Sequence, residues 1–446
     1  MSDELVLVRK GAYHDSVTLM RVSRALSDLP GVESAMVAMA TELNVSILRE
    51  MGFSLPEAAP GDLVIAVRGR DTKASAAEAE RQLTAFHPPA APSGQPPLTT
   101  GSAARTPADL VLVSTPGEYA FFEALDAVHA GLPVMIFSDG VGLDRERRLK
   151  ELAETRDVLV MGPDCGTASI AGVGLGFANV LSPGPVGVVA ASGTGAQQVT
   201  SLLDWAGVGV SHVLGVGGRD LSAEVGGLST LRALRMLDED PATELIVLIS
   251  KPPAPQVARV VREAVAGLAT PVVEALLGAG APDLTEATEQ VLRALHRPVP
   301  EWPSWPGSAR DAQKKTIKGV YSGGTLNVEA AMIAGPGDFV DYGDDVYTRG
   351  RAHPMIDPTL RAEAIAHAGA TDVVLMDVVL GHGADPDPAA SLAHAVARTP
   401  ATVVIALIGT PGDPQDLRRQ AAAFREAGAA VFTSNAQAAR HARSLL

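Results

Sequence analysis

The chain of 446 residues contains a single cysteine, Cys165. No intrachain disulfide can form and a zinc site built from several thiolates is excluded, which fits a reducing compartment. Positive charge is also scarce: 36 Lys and Arg stand against 51 Asp and Glu, a net charge of −15. That balance argues against nucleic acid or an anionic membrane surface as a partner. No apolar run approaches the roughly 20 residues that span a bilayer. The opening MSDELVLVRK lacks the basic-then-apolar order of a secretory signal, so a cytoplasmic location is expected. The 10 histidines show no HExxH or other metal-ligand spacing, and no metal is expected. Neither a GxxxxGK[ST] phosphate loop nor a GxGxxG dinucleotide turn occurs.

What is present reads as several α/β domains. Apolar residues make up 46% and charged residues 20%, with 44 Gly and 32 Pro, a balance of compact units joined by many turns. Residues 1–87 alternate β-like runs with helical patterns starting at Ser16, Thr41 and Ser75, a small α+β domain. Residues 88–107 are rich in Pro, Gly and Ser and read as a linker. Within 108–184, ADLVLVSTP, PVMIFSDG and DVLVMGPDC alternate with helices, the doubly wound parallel pattern. The Arg145, Arg147, Arg148 and Lys150 run there reads as a solvated helix face. Residues 185–297 and 315–446, separated by a Pro/Trp-rich linker at 298–314, look like one plan used twice. In each, a strand runs into a Ser/Gly/Thr turn: Ser192, Gly193, Thr194 and Gly195 in one, Ser322, Gly323, Gly324 and Thr325 in the other. The ends of the third strands, Ser250 and Asp377, follow at closely matching intervals.

A strand ending in Ser-Gly-Thr before a helix gathers free backbone N–H groups, the positive helix end and hydroxyls at one point, which suits a phosphate-like anion. The alternative is that these hydroxyls only cap their helices. GVGGRD offers Gly217, Gly218 and Arg219 at a strand end, and LGHGADPDP places His382 between Gly381 and Gly383 at another. His382 is the first candidate for acid/base or oxyanion work. The loop TRGRAHP supplies Arg349, Arg351 and His353 for a carboxylate or phosphate. Asp164 and Cys165 in GPDCGT are substrate-lining candidates, with no nucleophile dyad visible at the cysteine.

In their order these motifs resemble the succinyl-CoA synthetase superfamily, and its FdrA-like branch more closely. ADLVLVSTP, PVMIFSDG and VLVMGPDC are similar to part of a CoA-binding domain. PGPVGVVAASGTG and GVGGRD resemble the ligase domain of the α-subunit; SGGTL, FVDYGDD and VVLMDVVLGHGADP resemble the C-terminal ligase domain of the β-subunit. The fold implied is a Rossmann-like, CoA-binding-type domain followed by two flavodoxin-like ligase domains, with the small α+β domain in front. In that family a phosphohistidine lies between two helix starts. Ser192, Gly193 and Thr194 match the first, and Gly381, His382 and Gly383 fall near the second. Here no histidine occurs between His212 and His296, and no ATP-grasp module is present. The resemblance therefore implies a subunit of a carbamoyltransferase of the oxamate type. It would work with other subunits of a hetero-oligomer on carbamoyl phosphate and a small carboxylate, in allantoin nitrogen catabolism. An acyl-CoA synthetase-type subunit that needs a partner for ATP, with CoA as a candidate ligand, is the alternative; a non-catalytic scaffold subunit is the third.

Overall fold

The β-like runs of the first 87 residues become β1 (Asp3–Arg9), β2 (Val32–Met39) and β3 (Leu63–Gly69), joined by α1 (Ser16–Ser27) and α2 (Glu42–Glu50) and followed by α3 (Thr72–Ala85). The computed structural model describes residues 3–12, 14–85, 97–308, 314–348 and 351–446. Strand β3 lies between β1 and β2, antiparallel to both. Alternate residues of a strand face opposite sides, and both sides of β3 are covered. Leu63, Ile65 and Val67 pack with Leu19, Val22 and Leu26 of α1, whereas Val64 and Ala66 pack with Leu48 and Phe53.

The second unit begins inside the expected linker. Its residues 88–96 lie outside the described residues, but α4 (Thr100–Ala103) is docked structure. Thr99 caps it in a capping box, and the Gly101 N–H donates to Asp126 of the following helix. Strands β4 (Val111–Val113), β5 (Val134–Ile136) and β6 (Val160–Met161) then form a parallel sheet in that order, crossed by α5 (Gly117–His129) and α6 (Leu143–Thr155). One expectation for α6 fails. Arg145, Arg147 and Arg148 are exposed, but Lys150 is 2% exposed. Its Nζ donates to Glu146 at 2.9 Å, to Asp220 at 2.8 Å and to the Val216 carbonyl at 3.0 Å. A buried ammonium is tolerable only with such partners.

The expected end of this unit at 184 also shifts. Strands β7 (Thr167–Ile170) and β8 (Val173–Gly176) form a hairpin that joins the next sheet through β10. Cys165 and Ala168 pack there with Leu214 and Val216.

The third unit continues with β9 (Pro183–Ala190), α7 (Gly193–Trp205), β10 (Val210–Gly215), α8 (Leu228–Glu239), β11 (Leu245–Ser250), α9 (Pro255–Ala266), β12 (Val272–Leu276) and α10 (Leu284–Ala294). In the fourth unit, β13 (Ser304–Trp305) precedes β14 (Thr316–Tyr321), α11 (Gly324–Ala334), β15 (Asp338–Asp341), α12 (Asp345–Thr348), α13 (Thr359–Ala366) and β16 (Asp372–Val379). It closes with α14 (Pro388–Arg398), β17 (Thr402–Ile408), α15 (Leu417–Glu426), β18 (Ala430–Phe432) and α16 (Asn435–Ser444). Their parallel cores run β10-β9-β11-β12 and β15-β14-β16-β17-β18, the flavodoxin-like order in which the second strand lies outside the first. Strands β11, β16 and β17 are buried along their whole lengths, so they read as mostly apolar runs rather than alternating ones, with Asp377 a fully buried charge inside β16. The stretch 298–314 is not a bare linker, because β13 pairs antiparallel with β18.

Helix α16, which the sequence pattern did not reveal, helps weld the two ligase-like units together. Leu202, Val291, Leu326 and Ala439 share one core. A polar seam crosses it: Asn435 donates to Glu329 at 2.7 Å and accepts from the Tyr321 hydroxyl at 3.0 Å, and Glu329 also accepts the Leu284 N–H at 2.7 Å. Burial is the main cause that pushes the Glu329 carboxyl up to about 7. A raised acid stabilises the fold below its unfolded pKa, and that contribution is lost as pH rises through the folded value. The stability difference between wild type and Glu329→Gln should therefore shift by about 3 kcal/mol between pH 4.5 and 8, against wild type at the alkaline end. Urea unfolding of both proteins across this range checks it, and a constant difference would contradict it.

Candidate functional site

Helices α7 and α11 follow the first parallel strands of their sheets, at the points where strand order reverses and α/β proteins bind ligands. The two turns meet directly. A Cβ at Gly323 would lie 2.3 Å from Thr194 Oγ1, and one at Gly195 would lie 3.2 Å from Thr325 Cγ2. Glycine is needed at 323 for this approach, not for backbone conformation, since its φ is −131°.

Their serines are not free hydroxyls. Ser192 Oγ accepts the Gly195 N–H at 3.0 Å and caps α7, so that amide is spent on the cap. Ser322 does something else: its N–H and its hydroxyl both donate to Asp377 Oδ1, at 2.8 and 2.9 Å. Asp377, fully buried within β16, pairs with the buried Arg361 at 3.1 Å. The expectation that Ser192 and Ser322 hold an anion through their side chains is corrected by these bonds. At α11 the cap position is Gly323, with no side-chain acceptor, so its first-turn N–H groups keep their donors and the positive helix end.

Two residues stand beside that helix start. A Cβ at Gly324 would lie 2.7 Å from Lys251 Nζ and 2.5 Å from Asp341 Oδ2. Lys251 directly follows β11, and among the described residues it makes no ion pair. Burial raises the Asp341 carboxyl, against the Gly343 N–H that it accepts at 2.9 Å and the nearby Lys251. Neither residue was singled out from sequence, although a lysine immediately after the third strand was a usable signal. His353, a candidate from its loop, does reach this place. Its Nε2 lies 2.9 Å from where a Cβ on Gly343 would stand, a point also 2.6 Å from the Ser322 carbonyl oxygen. Its ring packs on Phe177 at 5.5 Å. Burial, helped by Arg361, pushes the imidazole down to about 4, so it is neutral at pH 7.

Asp164 borders the same cleft, in the loop after β6. Loss of surrounding water, with Asp139 and Asp345 nearby, raises it to about 6, while Arg219 and Lys251 pull the other way. Arg219 is held from behind: it pairs with Glu146 at 2.8 Å and donates to the Val141 carbonyl at 2.7 Å. Gly217, at φ 90°, lets the GVGGRD loop pass close to the Pro163 carbonyl, and Gly218 beside it is exposed.

Other expected residues are placed elsewhere or engaged otherwise. Cys165 is 2% exposed, packed against Gly215, and burial pushes its thiol up to about 12, so it neither lines a ligand surface nor ionises at pH 7. The Gly381 N–H donates to Gln415 at 3.1 Å and the His382 N–H to the Ala178 carbonyl at 2.8 Å, so that segment offers no open anion cradle. Gly383 packs on Phe177. The His382 side chain is exposed, and no hydrogen bond joins it to either turn. Arg351 borders a shallow recess with Tyr342, Tyr347 and Asp357. Arg349 lies outside the described residues. Among the described residues, no helix is long and apolar enough to cross a membrane.

Three family models match the chain: an AllF heavy metal-associated domain over residues 1–96, a CoA binding domain over 182–274 and a CoA-ligase over 320–445. The metal named in the first does not fit these residues. The only cysteine lies at 165, and among the described residues no three His, Cys, Asp or Glu side chains converge on a point. The chain is 35% identical to the uncharacterized protein YahF of Escherichia coli, over 99% of this chain and 98% of that one. It is 31% identical to the succinate–CoA ligase [ADP-forming] subunit alpha 1 of Archaeoglobus fulgidus over 33% of this chain, spanning about half of that subunit's length (51%). Among solved structures, it is similar at a TM-score of 0.33 and 16% identity to a dinucleotide-forming acetyl-coenzyme A synthetase 1 of Ca. Korarchaeum cryptofilum, over 77% of this chain and 83% of that one. The chain belongs to the family of YahF, within the succinyl-CoA synthetase superfamily of acyl-CoA ligase-like proteins.

Proposed function

We propose that this chain is an acyl-CoA ligase-type subunit that holds an acyl phosphate at the paired helix starts, passes the acyl group to CoA and depends on a partner subunit for ATP. The observation that carries this reading is the meeting of the two turns beside Lys251. The uncapped helix start and the Lys251 ammonium bring positive charge to one point; the Asp341 carboxylate beside them offsets part of it, and a phosphate-like anion would take up the rest. A relative matched over a third of the chain is a subunit of an ADP-forming succinate–CoA ligase. Among the described residues, the hydroxyls of Thr115 and Ser138, which follow β4 and β5 of the second sheet, are buried with no hydrogen-bond partner. Buried polar groups ordinarily find partners, and a polar ligand such as CoA would supply them.

In this reading the α11 amides and Lys251 hold the phosphoryl oxygens. Oriented N–H donors and one ammonium stabilise the negative charge that grows as the acyl–oxygen bond breaks. The thiol of CoA attacks the acyl carbon, the thioester forms and inorganic phosphate leaves. To test it, the protein is supplied with acetyl or succinyl phosphate, with and without CoA. CoA-dependent phosphate release matched by thioester formation is expected, and release indifferent to CoA counts against the reading. Lys251→Met should weaken the binding of acetyl phosphate about tenfold, the worth of one charge-assisted hydrogen bond. Its thermal midpoint should be unchanged because the side chain is exposed. Calorimetric titration and melting of the same samples check both.

A second reading, the subunit of an oxamate-type carbamoyltransferase working with other subunits on carbamoyl phosphate, is favoured by one observation. No histidine lies between His212 and His296, where the superfamily carries its phosphohistidine. Phosphate release from carbamoyl phosphate that requires oxamate and ignores CoA would select it.

A further inference from the structure

The segment 351–356 brings His353 to the second turn. The Met355 N–H donates to Nδ1 at 3.3 Å, so in the neutral ring the proton sits on Nε2. Phe177 fixes the ring plane from one side at 5.5 Å. Val17 and Met20 of α1 and Ala352 close over the same apolar cluster. Ser16 of α1 contacts Ser114 at 3.0 Å, and Arg24 reaches Asp357 and Thr359, both at 2.5 Å, so the N-terminal domain roofs this side of the cleft. The Nε2 edge faces Gly343, where only the absence of a side chain allows it to approach the Ser322 carbonyl and the Asp341 loop. Among the described residues, no acceptor is bonded to Nε2. His353 is only partly buried, so this oriented N–H donor stays open to solvent and to a ligand oxygen.

We infer that His353 donates a hydrogen bond through Nε2 to the carbonyl oxygen of the substrate's acyl group, while Lys251, beside Gly324, meets its anionic end. The inference rests on the acyl-phosphate reading above and narrows it: the substrate carries a carbonyl and an anion within one small molecule, and His353 reads the carbonyl. A neutral imidazole suits this role, since it polarises a carbonyl without bringing a second full charge beside Lys251.

The test uses two probes on the full chain. Acetylphosphonate keeps both the carbonyl and the anion but cannot transfer its acyl group; inorganic phosphate keeps the anion alone. His353→Phe preserves the stack on Phe177 and removes the donor. It should weaken acetylphosphonate about tenfold and leave phosphate binding within twofold. His353→Gln, whose amide nitrogen can stand near the position of Nε2, should restore most of the loss. Equal weakening of both probes in His353→Phe would mean that the ring only shapes the pocket, and unchanged acetylphosphonate binding would mean that it touches no carbonyl; either overturns the inference while the anion site stands. A wild-type protein that binds neither probe removes the acyl-phosphate reading itself.

Discussion

Asp377→Ala is expected to cost about 3–5 kcal/mol of unfolding free energy, the usual consequence of removing one partner from a buried ion pair. The substitution leaves the Arg361 guanidinium, itself 2% exposed, facing a cavity, with the Asp377 carbonyl as its remaining acceptor. It also releases the N–H and hydroxyl of Ser322, both of which donate to the lost carboxylate. Stability and site geometry therefore fail together: urea titration should show the midpoint fall, and acetyl phosphate affinity should drop in the fraction that remains folded. Replacing both partners by apolar residues, Arg361→Met with Asp377→Leu, should recover much of the stability, because neither charge is then buried alone. It should not recover binding, because Ser322 still lacks its anchor. A double variant as unstable as the single one would show that the ion pair is not the cause.

The second large effect concerns the contact between the turns. In Gly323→Ala, the new methyl would stand 2.3 Å from Thr194 Oγ1 and 2.7 Å from Thr194 Cβ, distances that no rotamer of Thr194 relieves because its Cβ is fixed by the backbone. The two helix starts must move apart, at a cost of about 1–3 kcal/mol in stability and with the site opened by a comparable displacement. Thr194→Gly in the same chain removes the obstructing atoms, so the pair should be strongly non-additive: Gly323→Ala alone is the worse protein for both melting temperature and anion binding, and the double variant recovers the binding. Simple additivity in both readouts would show that the turns do not touch in solution.

Much of this was legible along the chain. The strand–turn–helix pattern marked both Ser/Gly/Thr turns, since a run of apolar residues, a glycine-rich turn and a new helical period are local signals. The repetition of that pattern pointed to two related sheets. What the serines do was not legible. Ser192 caps its own helix through a partner three residues away, but Ser322 is bound to Asp377 on a different strand, and similar turns in sequence thus end in different chemistry. Lys150 makes the same point. Helical spacing puts it on one face with Leu149 and Ala153, yet its second carboxylate, Asp220, comes from the third unit.

The histidines divide in the same way. His382 lies between two glycines at a strand end, a local pattern that marks it in sequence; pairing of its backbone with Ala178 leaves its ring in solvent. His353 sits in a loop whose sequence says little, and it reaches the second turn only because Gly343 and Phe177 meet it there. By itself, then, the sequence determined the α/β class, the order of the units and the places where helices start beneath glycine-rich turns, because these depend on periodicity and backbone freedom within a few residues. The tertiary structure alone decided that the two turns abut, which polar groups are already spent on one another, and which cation and which imidazole stand beside the second turn, because those outcomes depend on contacts between residues far apart in the chain.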